Sequence, residues 1–494
     1  MSLAVVLIAT VSSCDLNKYP FDSIDTSQSF SSVKDATTLN TGLYANMRNR
    51  LYGLYMFTTD VQADLLNATL DYGNRNGFPH KWTSFLADDY TLSTVWAGYY
   101  YSLANVNNFL NNVDKIKTTT QADADLLKKY KGEAYFLRAY YYHQLILKWG
   151  KAYDPTTAAT DPGVPLVLTF DITLMPKRNS VAEVYTQIMA DIALAKADLT
   201  AAPGAQNSAK ITVDCATALE ARVALCMQNW TLAATDANAL IASGTYPLVT
   251  TAAALKSMWV NDAASEIMFQ LFASQPNELP SSTVPNINNI YLGFVAAKNY
   301  YTPDFLPEQW VVDQFASTDL RKAVYLQQNT VFIQGISYPN IWCVTKYSGN
   351  PALFTGATTN YEQKQKVFRI AEMYLISAEA AAHTPASEPA ALATLNLLKV
   401  ARGIPALSGL GGAALMTEIQ NERGRELFCE GFRLDDLKRW KMGFSRKPAQ
   451  NVNLINVGPD YDQKTVLPTD PKFVWGIPSN DLSTNPNMTQ NPGW

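Results

Sequence analysis

Residue types that carry catalysis occur in this 494-residue sequence, but not at the spacings that a known reaction requires. Residues 409–414 fit the relaxed glycine pattern of dinucleotide-binding proteins, but they follow a helical segment instead of a strand. Residues 123–125 begin like a calcium-binding loop, yet Lys128 stands where that loop needs glycine and Ala134 where it needs glutamate. The motifs therefore predict no catalytic residue.

Potential metal ligands are scattered as well. The three histidines, His80, His143 and His383, are far apart in the sequence, and no cysteines are spaced as in a zinc site. We therefore predict neither a bound metal nor any other cofactor.

Composition and charge limit the kinds of molecule that the protein is expected to bind. The chain has 47% hydrophobic and 17% charged residues, a net charge of −4, and 26 Tyr, 20 Phe and 10 Trp. Nucleic-acid binding needs a concentrated basic surface, and no run of Lys or Arg stands out. We therefore expect no nucleic-acid partner.

The first fourteen residues indicate export. Residues 3–9 form an apolar run that is too short to span a bilayer, which takes about 20 residues, and is typical of a signal peptide. Val11-Ser12-Ser13-Cys14 resembles a bacterial lipobox, so we expect residues 1–13 to be cleaved and Cys14 to be lipidated. A positively charged start is missing, so we expect the true start of the signal peptide to lie upstream. An ordinary signal peptide with an accidental Cys14 stays an alternative.

The body of the chain contains segments with helical patterns. The first helix follows an approximate capping box at Ser32 and Asp35, and a full capping box at Ser180 and Glu183 begins another. Periodicity predicts helices over residues 33–49, 91–116, 123–149, 181–199, 212–227, 231–243, 368–382, 389–402, 415–430 and 434–441.

These helices predict a mostly α fold with little β structure. Helices of similar length, with alanine where they cross, suggest stacked tetratricopeptide-like pairs, although no strict repeat of about 34 residues is present. We expect residues 14–494 to form one domain, with its helical scaffold over residues 30–50, 91–149, 180–243 and 368–441. We expect loops mainly over residues 60–90 and 260–357. Residues 260–357 lack sustained helical periodicity, and a loop this long is usually functional.

Three stretches resemble a known family. They are residues 368–380; residues 422–440, which include Glu-Arg-Gly-Arg-Glu-Leu and Glu-Gly-Phe-Arg; and residues 475–494, which begin Trp-Gly-Ile-Pro. Together with the lipobox they resemble the SusD/RagB family of surface lipoproteins of Gram-negative bacteria. The usual family ending has Tyr where this chain has Trp494.

The charged residues of these motifs have a structural interpretation. Glu422, Arg423, Arg425, Glu426, Glu430 and Arg433 lie at helical spacings that allow ion pairs. We expect Arg369, Glu372 and Glu379 to join them between helices.

The resemblance implies a binding protein and not an enzyme. Family members look like helical scaffolds whose irregular loops bind a ligand at the outer membrane. They cap a SusC-like TonB-dependent transporter and deliver oligosaccharides, or in some branches peptides, to it.

Two loop regions contain the types of side chain that proteins use to bind sugars. Aromatic rings contact the C–H faces of a sugar, while amide, carboxylate and guanidinium groups bond its hydroxyls. The predicted ligand-binding residues are Tyr72, Asn74, Arg75 and Trp82 in the first region and Tyr291, Asn299, Tyr300 and Tyr301 in the second.

Several alternatives stay open. Each aromatic residue could instead pin its own loop to the scaffold. A peptide-binding importer subunit has the same architecture, and a glycoside hydrolase would place paired carboxylates in a cleft. A pure assembly scaffold is favoured if Tyr72 and Trp82 are buried.

Overall fold

The computed structural model describes residues 30–51, 53–73, 78–279 and 288–494, without the side chains of residues 288 and 289. In these ranges sixteen α-helices are present: α1 Val33–Asn49, α2 Leu54–Gln62, α3 Phe78–Lys81, α4 Tyr90–Asn112, α5 Gln121–Trp149, α6 Val181–Asp198, α7 Val213–Cys226, α8 Trp230–Ala242, α9 Ala252–Val260, α10 Gln309–Asp313, α11 Lys322–Tyr325, α12 Ile370–Ala382, α13 Glu388–Ala401, α14 Gly412–Glu426, α15 Arg433–Arg439 and α16 Ser479–Thr484. Shorter helical turns occupy Val113–Lys115, Asn288–Leu292, Ala296–Lys298, Pro351–Leu353, Pro385–Ser387, Val452–Leu454 and Pro471–Phe473.

Ten short strands form small sheets between the helices. Their bounds are β1 Leu66–Ala68, β2 Ile267–Gln270, β3 Phe294–Val295, β4 Tyr300–Tyr301, β5 Phe305–Pro307, β6 Leu326–Ile333, β7 Ile336–Val344, β8 Lys366–Arg369, β9 Phe444–Ser445 and β10 Thr465–Val466. β1 pairs with β5, β2 with β8 and β9 with β10, all antiparallel. The largest sheet has the order β3-β4-β6-β7.

Local sequence signals set the helix starts. The Ser32 and Ser180 hydroxyls accept hydrogen bonds from the backbone N–H groups of Asp35 and Glu183, whose carboxylates bond back to the two capping residues. Both predicted capping boxes are therefore confirmed. They satisfy N–H groups that have no partner within the helix, which favours these starting points over their neighbours.

The long helices stack in sequence order. α4 packs on α5, α5 on α6, α6 on α7 and α7 on α8, while α12 packs on α8, α13 and α14. Alanines let the axes approach closely: Ala216, Ala221 and Ala224 of α7 and Ala371 and Ala378 of α12 are fully buried. The predicted mostly α, tetratricopeptide-like stacking is confirmed.

The charged motif forms a buried network around Glu426. Its carboxylate accepts hydrogen bonds from Arg402 Nε at 2.9 Å, Arg369 Nη1 at 2.7 Å and Arg321 Nη1 at 3.0 Å. Although burial acts in the opposite direction, Arg402 and Arg369 hold the pKa of Glu426 well below its usual value. Glu426 and its three arginines therefore stay charged inside the protein.

Further acidic groups complete the network. Arg402 also binds Glu266, Arg369 binds Glu430, and Arg321 binds Asp319 and Glu422. The expected pairing of Arg369 with the second motif is confirmed. Glu379 also pairs with this motif, through Arg439, whereas Glu372 pairs with Arg222 of α7.

We expect Glu426→Gln to lower the free energy of unfolding by about 3–5 kcal/mol, because it leaves three buried guanidinium groups without their shared anion. Urea denaturation followed by circular dichroism measures this loss. The matched control is Asp114→Asn, which removes the ion pair between Asp114 and Lys131. Their charged atoms are 2.9 Å apart, and the Asp114 side chain is 72% exposed. The control should change stability by less than about 1 kcal/mol. An equally small loss in Glu426→Gln would show that the network does not stabilise the fold.

Candidate functional site

A β-hairpin formed by β6 and β7 dominates the second predicted loop region. Gln334 and Gly335 turn the chain with φ of 49° and 79°, the positive values that a two-residue hairpin turn requires. The ladder runs from Leu326 opposite Val344 to Ile333 opposite Ile336, with an irregularity between Asn329 and Val331. This hairpin was not among the elements expected from the sequence, which placed a loop here.

The hairpin brings two aromatic rings together at the surface. β4 lies parallel to β6, with Tyr301 opposite Val331. Tyr300 precedes this pair on β4 and Phe332 follows it on β6, so the two residues lie diagonally across the strands on the same face of the sheet. The Tyr300 and Phe332 rings stack with centroids 4.6 Å apart and planes inclined by 20°. Both rings are partly exposed.

Polar side chains border this ring pair. Lys298 and Asn299 are exposed in the turn between β3 and β4, where Asn299 has a left-handed backbone with φ of 52°. Asparagine tolerates that conformation better than most residues. We call Lys298, Asn299, Tyr300 and Phe332 the aromatic platform.

The first loop region reaches the same hairpin. Asp71 accepts hydrogen bonds from the Gln334 backbone N–H at 3.1 Å and from Gln334 Nε2 at 2.5 Å. β1 pairs with β5, with Leu66 opposite Pro307. The structure therefore joins the two predicted loop regions through residues that are more than 200 positions apart in the sequence.

Three predicted binding residues are buried. Tyr72 is 2% exposed and packs edge-on against Phe305 and Tyr461. Trp82 is 3% exposed and donates its indole N–H to Gln62 O at 2.7 Å. Tyr291 is 1% exposed and stacks on Tyr347. These rings pin their loops to the core and present no open face to a ligand. The burial of Tyr72 and Trp82 favours the assembly-scaffold alternative at these two positions, so a ligand contact must come from other residues.

Of the remaining residues predicted to bind ligand or lipid, some lie in the sheet with the hairpin and others fall outside the described ranges. Tyr301 points to the opposite face of the sheet from Tyr300, because strand residues alternate, and it packs against Phe294 at 4.9 Å. Asn299 and Tyr300 belong to the aromatic platform. Asn74, Arg75 and Cys14 lie outside the described residues. Phe332 was missed, although Gly335 between two β-rich runs is a hairpin signal.

A charged cavity lies among α5, α7, α12, α14 and α15. It measures about 90 Å³ and is lined by the ion pairs Arg222–Glu372 and Arg423–Asp436 and by His143. Burial, together with Arg222 and Lys148, lowers the pKa of His143 to about 3, so that ring is neutral. The cavity is small for a sugar and belongs to the scaffold.

The described ranges contain neither a cluster of metal ligands nor a membrane-spanning helix. No cluster of three His, Cys, Asp or Glu residues there could hold a metal ion. None of the helices there combines the length and apolar character needed to cross a bilayer.

Glu308 is a buried residue that connects the two loop regions. It lies after β5, and its backbone N–H donates to Leu65 O at 3.0 Å. The buried carboxylate accepts from Trp310 Nε1 at 2.6 Å and from the Lys447 N–H at 2.9 Å. Burial raises the pKa of Glu308 to about 8.

The neighbouring amide of Asn67 agrees with a protonated Glu308. Asn67 Nδ2 lies 3.4 Å from the second carboxylate oxygen, and Asn67 Oδ1 is buried without a partner in the described part of the chain. A half-turn of that amide would let Oδ1 accept the hydrogen of a neutral carboxyl group.

Comparison with known proteins gives consistent matches along the chain. Residues 324–494 match the model of the SusD family, and residues 17–225 match a model described as starch-binding associating with outer membrane. A SusD-like protein of Formosa agariphila is 24% identical, covering 99% of this chain and 97% of the relative.

Solved structures share the fold. A SusD superfamily protein from Bacteroides vulgatus is 25% identical with a TM-score of 0.78, covering 94% of this chain and 100% of the other. The surface glycan-binding protein A from Bacteroides fluxus is 22% identical with a TM-score of 0.71 and the same coverage.

We expect Glu308 to make stability fall as the pH rises from about 4.5 to about 8. In this range the unfolded carboxyl loses its proton while the folded one keeps it, so the unfolded state binds fewer protons. Glu308→Gln cannot ionise. Its free energy of unfolding relative to wild type should therefore rise with pH, by up to about 1.4 kcal/mol per pH unit. Urea denaturation across this pH range measures the difference; parallel curves for both proteins would contradict the prediction.

Proposed function

We infer that this chain belongs to the SusD/RagB family, whose models match residues 324–494 and 17–225, and that it is a cell-surface lipoprotein that binds oligosaccharides without cleaving them. It passes them to a SusC-like TonB-dependent transporter in the outer membrane. The starch-binding, outer-membrane description of the model that matches residues 17–225 supports both the ligand class and the location.

The observation that carries the ligand assignment is the aromatic platform. Tyr300 and Phe332 offer partly exposed rings, and sugar C–H groups pack favourably on such rings. Lys298 and Asn299 beside them supply ammonium and amide donors and an amide acceptor for hydroxyl groups. This combination suits a ligand that has both apolar and hydroxylated faces.

Two contacts hold the aromatic platform in place, which supports a preorganised binding surface. β4 pairs with β6, and Asp71 holds Gln334 in the hairpin turn. Ordering these segments before a ligand arrives lowers the entropy cost of binding.

The transporter partner is proposed from the family alone. If the chain caps a TonB-dependent transporter, a tagged form extracted from outer membranes in mild detergent should retain that transporter through purification. Recovery of the tagged chain alone, from cells that express the transporter, would argue against the pairing.

Two other activities give different results in simple assays. A peptide-binding importer subunit would bind a peptide library and remain silent across a glycan panel. A glycoside hydrolase would release reducing ends, and substitution of one Asp or Glu would abolish that release.

We expect Tyr300→Ala and Phe332→Ala each to weaken oligosaccharide binding by about tenfold, which equals about 1.4 kcal/mol. Each variant removes one ring of the aromatic platform. Isothermal titration against plant, host and bacterial glycans first identifies a ligand, and the variants are then titrated with it.

The control is Tyr101→Ala, which removes a 58% exposed ring from α4. Its affinity should equal that of wild type. If the control and platform variants lost affinity equally, the rings of the aromatic platform would not be the contact surface. If no glycan bound wild type, the carbohydrate assignment would fail.

We expect Cys14→Ser to release the chain from the membrane fraction, because several acyl chains on one cysteine would provide the anchor. Wild type should sediment with outer membranes and be cleaved by protease added to intact cells. The matched control is Ser13→Ala, which keeps the cysteine. Equal membrane retention of both variants would contradict lipidation at Cys14.

A further inference from the structure

A second cleft lies against one face of α1 and shares no residue with the aromatic platform. It measures about 250 Å³. Thr41, Tyr44, Ala45 and Arg48 form one wall, at spacings of three and four residues that place them on one helix face. The opposite wall comes from residues 209, 210, 271, 272 and 278.

The apolar part of this cleft is an exposed ring. Phe272 keeps 45% of its surface exposed, while its neighbour Leu271 is 2% exposed and forms the base. A large exposed aromatic side chain in a concave site is a typical ligand contact. Tyr44 adds a half-buried ring, with Lys210 Nζ 4.1 Å from its centroid.

The polar part includes both donors and acceptors. Arg48 Nη1 donates to Phe272 O at 3.1 Å, which ties α1 to the opposite wall. Arg48 Nε is buried and has no hydrogen-bond partner in the described ranges. The Glu278 carboxylate accepts from the Ser274 hydroxyl at 2.8 Å, and Thr41 adds an exposed hydroxyl.

We propose that this cleft is a second carbohydrate site, which binds a single sugar ring. One ring face packs on Phe272, while neighbouring hydroxyls donate to Glu278 and accept from Arg48 or Lys210. The volume lies just below the range of about 300–1,000 Å³ that holds drug-sized ligands, which suits one ring better than a chain. Among the described residues, Glu278 is the only carboxylate that lines the cleft, so they do not supply the two-carboxylate chemistry of glycoside hydrolysis there.

This inference rests on the proposed function, because both sites take the same class of ligand. It adds a second contact on the helical scaffold. A glycan that extends from the cell surface could then engage the scaffold and the loops independently, which raises avidity without a new partner.

The test labels the two sites separately. 4-Fluorophenylalanine is placed at position 272 in one sample and at position 332 in another, in the otherwise intact protein. Each sample is titrated with methyl glycosides of glucose, galactose, mannose and xylose, and the fluorine resonance is followed. We expect a saturable shift at position 272 that persists in the Tyr300→Ala background.

Variants that should not disturb the core test the contacts. Glu278→Gln should weaken the site at position 272 several-fold, while leaving the response at position 332 unchanged. Phe170→Ala removes another partly exposed ring, at 46% exposure, and should change neither response.

The outcomes separate the two proposals. A saturable shift at position 332 with none at position 272 would overturn the second site and leave the proposed function intact. A shift at position 272 that disappears with Tyr300→Ala would also overturn it, because the sites would then be one. Silence at both positions across the glycosides would overturn the second site and contradict the carbohydrate assignment.

Discussion

The fold depends on one buried carboxylate that three arginines share. Glu426 of α14 binds Arg321, Arg369 and Arg402, which come from three separate segments of the chain. Removing such charges from water is costly unless every partner is in place, so the network forms only when those segments are assembled together. Arg321 directly precedes α11, which leads into β6. The same ion cluster that joins the helices therefore fixes the origin of the hairpin that carries the aromatic platform.

Much of the scaffold was predictable because its signals are local. Capping boxes and apolar stripes lie within one or two helical turns, so the starts of α1 and α6 followed from Ser32 and Ser180. Half of the ion network was predictable for the same reason, since Glu422, Glu426 and Glu430 repeat at helical spacing. Arg321, Arg402 and Glu266 were not, because nothing in the sequence around them indicates which distant carboxylate or guanidinium they will meet.

The candidate site was predictable only in part, because side-chain type does not reveal which way a ring points. Tyr72 and Trp82 occur among polar loop residues, yet both point into the core, where Trp82 donates to Gln62 O. Tyr300 and Tyr301 are neighbours in the sequence but lie on opposite faces of the sheet. Phe332 became a site residue through the pairing of β4 with β6, a contact between segments that local patterns did not specify.

The ion network around Glu426 and the aromatic platform are separate parts of the molecule. The side chains that bind Glu426 are 0–2% exposed, and none of them belongs to the aromatic platform. A substitution at Lys298, Asn299, Tyr300 or Phe332 therefore changes a surface that contributes little to the assembly of the scaffold. Stability and specificity can then vary almost independently, because distant sites without shared partners have nearly additive effects. Such a scaffold can present different ligand surfaces while its helices, capping boxes and central ion cluster stay the same.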